Sequence, residues 1–68
     1  MSEQERLLYD AVAAAVLLST TPRRISELRR AGELIAVQDG RTYKFRRDDL
    51  EHYVASLRTY EPKRWITP

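Results

Sequence analysis

The chain has 68 residues and a formal net charge of +2, which leaves room for one small domain. A chain this short buries only about 60% of the surface that its unfolded form exposes, so a deep catalytic cleft is not expected. It contains no cysteine, which excludes a disulfide framework and a thiolate metal site.

The hydropathy pattern argues against a membrane protein. The apolar run over residues 11–18 is shorter than the roughly 20 residues that a spanning helix needs. The first residues lack the basic start of a signal peptide. We therefore expect a soluble, unprocessed protein of the cytoplasm, with no membrane partner.

Positive charge is concentrated in one segment of the chain. Residues 23–47 contain eight basic and three acidic side chains, a net charge of +5, and the remainder has −3. A segment of this kind is typical of a surface that binds a polyanion, although a basic run is more often only a solvated surface.

Two helices are predicted in the first half. Asp10 is a favourable N-cap for a helix over residues 11–19, whose apolar face recurs at helical spacing. Thr21 followed by Pro22 predicts the start of a second helix, because proline at the first helical position has no amide to leave unpaired. Gly32, just past Ala31, predicts its end.

The second helix has an apolar and a polar side. Ile25 and Leu28 share one side, and Arg24 and Arg29 flank it. The opposite side carries Arg23, Ser26, Glu27 and Arg30. Bidentate donors with one carboxylate acceptor are the chemistry that reads base edges in a major groove. Alternatively, the arginines only solubilise the helix, Glu27 pairs with Arg23 or Arg30, and Arg29 is structural or a phosphate contact.

A hairpin is predicted next. Asp39-Gly40 separates two extended runs, 34–38 and 41–45, and this dipeptide favours a two-residue type I′ turn. Arg41 then projects from the tip, toward a phosphate or a minor groove. Pairing across the turn places Leu34, Ala36, Tyr43 and Phe45 on the core face, and Ile35, Val37, Thr42 and Lys44 on the other.

A third helix is predicted to close the core. Asp48 and Glu51 have capping-box spacing, and an apolar stripe follows them. The stripe consists of Leu50, Tyr53, Val54 and Leu57. We expect residues 1–58 to form the domain and 59–68 an extended tail, in which Trp65 is a packing anchor or a contact for a protein partner.

No constellation for catalysis or metal binding is predicted. His52 is the only histidine, so a metal site or a proton relay has no second member, and a surface position is expected. Helix capping and the helix dipole account for Asp48, Asp49 and Glu51. We expect no enzyme activity, cofactor, metal or small-molecule substrate.

Four short motifs follow one another in a particular order. They are Ala14-Ala15 with Leu17-Leu18, Arg30-Ala31-Gly32-Glu33-Leu34, Asp39-Gly40-Arg41-Thr42-Tyr43-Lys44-Phe45, and Asp49-Leu50-Glu51-His52-Tyr53. Their order and spacing resemble the excisionase family of winged helix-turn-helix proteins, relatives of the MerR-type DNA-binding domain, over about residues 8–57. The resemblance implies an α+β fold of three helices with a two-stranded antiparallel wing.

The resemblance also implies two contacts with double-stranded DNA. Family members place the second helix in the major groove and the wing in the adjacent minor groove. Carried over by position, the major-groove residues are Arg23, Arg24, Ser26, Glu27 and Arg30, the wing residues are Arg41, Thr42 and Lys44, and the phosphate contacts are Thr21, Arg29, Arg46 and Arg47.

Excisionases are architectural factors of phages and mobile elements. They are recombination directionality factors that bind beside an attachment site in the bacterial host, often as head-to-tail copies, and bend the DNA so that integrase runs the excision reaction. The implied partners are DNA, integrase and neighbouring copies. A small MerR/AlpA-like transcriptional regulator, and a protein-interaction module docking through the first helix and the tail, are the alternatives.

The first helix departs from the family pattern. Val12, Ala13 and Val16 stand where family members usually have polar residues, so this helix is apolar nearly all round. We expect its outer face to be covered, either by the tail through Trp65 and Ile66 or by a neighbouring copy.

Overall fold

A computed structural model describes residues 6–60 as three helices and one antiparallel hairpin. The elements are α1 (Ala11–Leu18), α2 (Pro22–Arg30), β1 (Val37–Asp39), β2 (Thr42–Lys44) and α3 (Arg47–Ser56). This order confirms the predicted α+β class, with the hairpin in the position of the wing. Among residues 6–60, no helix is both long and apolar enough to cross a membrane.

Side-chain caps start the first two helices where the sequence predicts them. The Asp10 carboxylate accepts a hydrogen bond of 2.8 Å from the amide of Ala13. The Thr21 hydroxyl accepts one of 3.1 Å from the amide of Arg24. Ser19, at φ 57°, ends α1 in the left-handed conformation, so the helix is one residue shorter than predicted. The tight link between α1 and α2 is therefore built by local hydrogen bonds.

Glycine marks the exit from α2. Gly32 has φ 78°, a conformation that costs glycine little. The amides of Glu33 and Leu34 then both donate to the carbonyl of Leu28, at 2.9 and 3.2 Å. The predicted end of the second helix is confirmed to within one residue.

The hairpin turn differs from the prediction. The paired residues are Val37 with Lys44, Gln38 with Tyr43, and Asp39 with Thr42. The loop is therefore Gly40-Arg41, and only Gly40, at φ 65°, has a positive φ. A positive φ at the first central position alone is the type II′ pattern, so the predicted type I′ turn at Asp39-Gly40 is wrong. Glycine takes this position because a residue with a β-carbon would be strained there.

One cluster of buried side chains holds the elements together. It consists of Tyr9, Ala14, Ala15, Ile25, Leu28, Leu34, Phe45 and Leu50. The buried sides of α1 and α2 are confirmed, as are the core positions of Leu34, Phe45 and Leu50. Ala36 and Tyr53 pack against the cluster at its edge.

Three residues predicted for the core are outside it. Tyr43 is 42% exposed because it lies two residues nearer the wing tip than Phe45, beyond the reach of the buried cluster. Val54 and Leu57 are 49% and 54% exposed. Only the first part of α3 covers the core, and Leu57 already lies past its end in extended backbone.

The start of α3 also differs. The helix begins at Arg47, with Arg46 at the cap position and no side-chain capping bond, so the predicted capping box of Asp48 and Glu51 is wrong. Asp48 lies inside the first turn with Asp49, where carboxylates are favourable for the helix dipole. The carboxylates of Asp49 and Glu51 are paired with Arg46 and Arg47.

Tyr9 contributes a contact that sequence analysis missed. It pairs with Phe45 through two backbone hydrogen bonds, of 2.9 and 2.8 Å, and attaches the start of the chain to the base of the wing. The available signal was its place just before the N-cap Asp10, where an apolar residue often packs against the fourth helical position. Here that position is Ala14, which is fully buried with it in the core cluster.

Candidate nucleic-acid interface

The outer side of α2 is polar, as its periodicity predicts. Ile25 and Leu28 are buried, and the exposed Arg23, Glu27 and Arg30 lie on the opposite side. Ser26, also on the polar side, is half-buried. The five residues predicted for the major groove are thus on one helix, although Arg24 borders the gap toward α3, not the centre of the polar side.

Glu27 is engaged within its own helix. Its carboxylate lies 3.6 Å from Nε of Arg23 and 3.5 Å from Nη1 of Arg24. The predicted alternative of a local pair is therefore present with Arg23, and Arg30 does not take part. All these side chains are well exposed, so each pair contributes only about 0.2–1 kcal/mol and a ligand can displace it.

The wing carries two cations, Lys44 and Arg41, and only Lys44 forms an ion pair within residues 6–60. Nζ of Lys44 lies 3.0 Å from the carboxylate of Asp39 across the hairpin. The Thr42 hydroxyl donates to the Asp39 carbonyl at 3.0 Å, which braces the turn. Arg41 occupies the turn itself, is exposed, and makes no side-chain hydrogen bond or ion pair within residues 6–60.

The two arginines after the wing are paired at the start of α3. Nε of Arg46 lies 2.7 Å from Asp49, and Nε of Arg47 lies 3.0 Å from Glu51. The bond to Glu51, with a smaller effect from Tyr9, raises the pKa of the Arg47 guanidinium, which stays a cation. Neither pair is buried, so both arginines remain accessible to an anion.

A stacking contact joins α2 to the wing. The guanidinium carbon of Arg29 lies 3.9 Å from the centre of the Tyr43 ring. Sequence analysis assigned Tyr43 to the core and Arg29 to a phosphate or structural role, and no local pattern connects two residues this far apart in the chain. Ser26 and Arg29 of α2 border a cleft that residues 42–45 of the wing and residues 10–12 at the start of α1 also line.

Comparison with protein families identifies the fold. A family model described as a helix-turn-helix domain matches residues 8–58, a range that includes all three helices and the wing. The chain belongs to this helix-turn-helix domain family. No match to the chain was found among curated proteins or among solved structures.

Membership in the helix-turn-helix domain family indicates that the chain binds DNA, and the geometry shows which surface is suited to it. Arg30 lies in the last turn of α2 and Arg41 at the wing tip, and neither makes an ion pair within the part of the chain that the structure describes. The cleft between α2 and β2 connects the two elements. Within the described residues, the helix-turn-helix domain therefore has one arginine on α2 and one at the wing tip that form no ion pair with a carboxylate.

Within residues 6–60, no element of the helix-turn-helix domain covers the outer side of α1. Val12 and Val16 are 61% and 73% exposed, and Leu17 continues the apolar surface toward α3. This confirms that α1 is apolar nearly all round. Trp65 and Ile66, predicted to contact this surface, lie outside the described residues.

Acidic and histidine side chains do not converge in this helix-turn-helix domain. Within residues 6–60, no three His, Cys, Asp or Glu residues are grouped so that they could hold a metal ion. His52 is exposed on α3, as predicted.

Proposed function

We propose that the chain binds double-stranded DNA with α2 in the major groove and the wing tip in the adjacent minor groove. The observation that carries the proposal is the placement of Arg30 and Arg41. Both are exposed and have no ion-pair partner within residues 6–60, and they extend from the two elements that border one cleft. Arginine is suited to both grooves because its planar donors can bind base edges and enter a narrow groove.

The remaining polar residues of α2 support the major-groove contact. Arg23, Ser26 and Glu27 would meet base edges, while Arg24, on the side of α3, would meet the edge of the groove. Glu27 would have to exchange its contact with Arg23 for a base amine, which the weakness of an exposed pair permits.

Phosphate contacts are proposed for residues around the two projections. Thr21 accepts the capping bond through its oxygen and still has its hydroxyl hydrogen to donate. Lys44, Arg46 and Arg47 are held by carboxylates that a phosphate can replace, since none of these pairs is buried. Thr42 and Arg29 line the cleft between the projections.

Salt dependence tests this proposal directly. If about five phosphates are neutralised, the logarithm of the association constant should fall against the logarithm of salt concentration with a slope of about −4 to −5, because each neutralised phosphate releases condensed counterions. Fluorescence anisotropy with a labelled duplex measures the slope. Lys44→Ala, which removes one of the proposed phosphate contacts, should reduce its magnitude by about one. A slope near zero would contradict the proposal that the chain binds DNA.

For the biological role, we propose an architectural factor of the excisionase type, which bends attachment-site DNA and directs integrase toward excision. The support is the order of four motifs over residues 8–57, which resembles that family, together with a wing that ends in Arg41. Residues 1–58 would form the DNA-binding domain and 59–68 a tail. The chain would bind and bend DNA and would itself catalyse no step.

Band shifts on attachment-site DNA, with and without integrase, test the excisionase role. Cooperative binding with integrase and a bend in circularly permuted fragments are expected. A MerR/AlpA-like regulator would instead bind a promoter fragment without integrase, and an integrase gene beside the coding sequence would favour excision. If no duplex is shifted at low salt while a protein partner is bound, the chain is an interaction module.

We propose that the apolar side of α1 is covered by the tail, through Trp65, or by a neighbouring copy. Replacing both Val12 and Val16 by glutamate should lower the cooperativity of binding to adjacent sites if a copy covers them, and should shift the fluorescence of Trp65 if the tail does. His52→Glu with Ser56→Glu adds the same charge elsewhere and is the control. Unchanged cooperativity, fluorescence and stability would contradict the proposal.

A further inference from the structure

The contact between Arg29 and Tyr43 links the two projections that the proposed function assigns to different grooves. Arg29 lies in the last turn of α2, and Tyr43 is the central residue of β2. The 3.9 Å separation places the guanidinium directly over the ring. Within residues 6–60, Arg29 makes no ion pair or side-chain hydrogen bond, so this stack is the interaction that orders it.

The contact with the ring leaves the N–H donors of Arg29 without a hydrogen-bond partner within residues 6–60. The attraction is electrostatic, between the cation and the negative face of the ring. It needs no hydrogen bond, so the five N–H donors of the guanidinium stay available to an anion. The same contact can therefore hold the wing against α2 without consuming a donor.

The cleft around the stack has a defined place in a two-groove complex. A protein with a helix in the major groove and a wing in the adjacent minor groove must straddle the sugar-phosphate strand that separates them. Ser26 and Arg29 lie on the wing side of α2, facing Thr42 and Lys44 across the cleft. The position of the wing relative to α2 must therefore suit both grooves at once.

We propose that Arg29 and Tyr43 are a positioning pair that sets the wing against α2, so that Arg41 reaches the minor groove when Arg30 is in the major groove. The inference rests on the proposed two-groove binding. Tyr43, half-exposed near the wing tip, contacts α2 through Arg29 and not through the core.

A double-mutant cycle between positions 41 and 43 tests the pair. In the parent protein, Arg41→Ala should weaken binding about tenfold. In a Tyr43→Ala background the same change should cost about twofold or less, because an unattached wing no longer delivers Arg41 to its groove. Tyr43→Ala alone should weaken binding about fivefold, and Tyr43→Phe, which keeps the ring, should match the parent.

Two further variants test the cation of the pair and the independence of α2. Arg29→Gln removes the cation that lies over the ring, so it should abolish the coupling to Arg41, whereas Arg29→Lys keeps a cation there and should retain part of the coupling. Arg30→Ala combined with Tyr43→Ala should be additive, since Arg30 does not depend on the wing. Circular dichroism of each variant checks that it is folded, and Arg29→Gln provides the same cycle should Tyr43→Ala unfold.

Additive effects of Arg41→Ala and Tyr43→Ala would overturn the positioning pair while leaving DNA binding intact. Retained coupling in Arg29→Gln would also overturn it, because the wing would then be positioned without a cation over the ring. If the parent itself bound no duplex at low salt, the proposed function would fail first, and the pair with it.

Discussion

Replacing Arg30 by alanine is expected to weaken binding to the specific DNA site by about fivefold to 150-fold. A bidentate contact between arginine and guanine discriminates by about 1–3 kcal/mol, and Arg30 is the exposed arginine of α2 that forms no pair within residues 6–60. Binding to unrelated duplexes should fall much less, because those sites use only its charge. The specificity ratio is therefore the quantity that changes.

The measurement is a pair of anisotropy titrations, one on a duplex selected from a random pool and one on a scrambled duplex of equal length. Arg58→Ala is the matched control: it removes the same charge from an exposed residue that is outside both α2 and the wing. Arg58→Ala should leave the ratio unchanged. Equal losses on both duplexes in Arg30→Ala would show that Arg30 contacts phosphate and does not read a base.

Replacing Phe45 by alanine is expected to have the largest effect on folding, a loss of about 3–5 kcal/mol in the free energy of unfolding. Phe45 is among the largest fully buried side chains, and its backbone pairs with Tyr9. A domain of this size has about 3–10 kcal/mol in total, at roughly 0.05–0.15 kcal/mol per residue. The variant should therefore be substantially unfolded, and DNA binding should be lost with the fold.

Urea denaturation followed by circular dichroism measures this loss. Tyr43→Ala is the matched control, an aromatic residue two positions away in the same hairpin but 42% exposed. Its cost should be about 1 kcal/mol or less, since little buried surface is removed. Similar losses for the two variants would mean that the wing contributes to the core as a whole and that Phe45 has no special role in it.

Local signals in the sequence determined much of the fold. Asp10 and Thr21 start α1 and α2 because each caps an amide three residues away, and Ile25 with Leu28 identifies the buried side of α2 by spacing alone. The basic segment and the polar side of α2 pointed to DNA, and the family match supports that assignment. These predictions hold because their causes act within one helical turn.

Tertiary contacts decided the features that sequence analysis placed wrongly or missed. Both Asp39-Gly40 and Gly40-Arg41 are plausible turns, and the pattern of neighbouring residues does not select the observed register or the pairing of Phe45 with Tyr9. Tyr43 lies beyond the reach of the core cluster and contacts Arg29 of α2, a pairing that the chain pattern does not reveal. Capping patterns and periodicity report on neighbours along the chain, whereas register and side-chain direction in the wing are selected by residues from other elements. The sequence by itself thus determined the helices and the basic character of the surface, and only the tertiary structure decided how the wing is joined to α2.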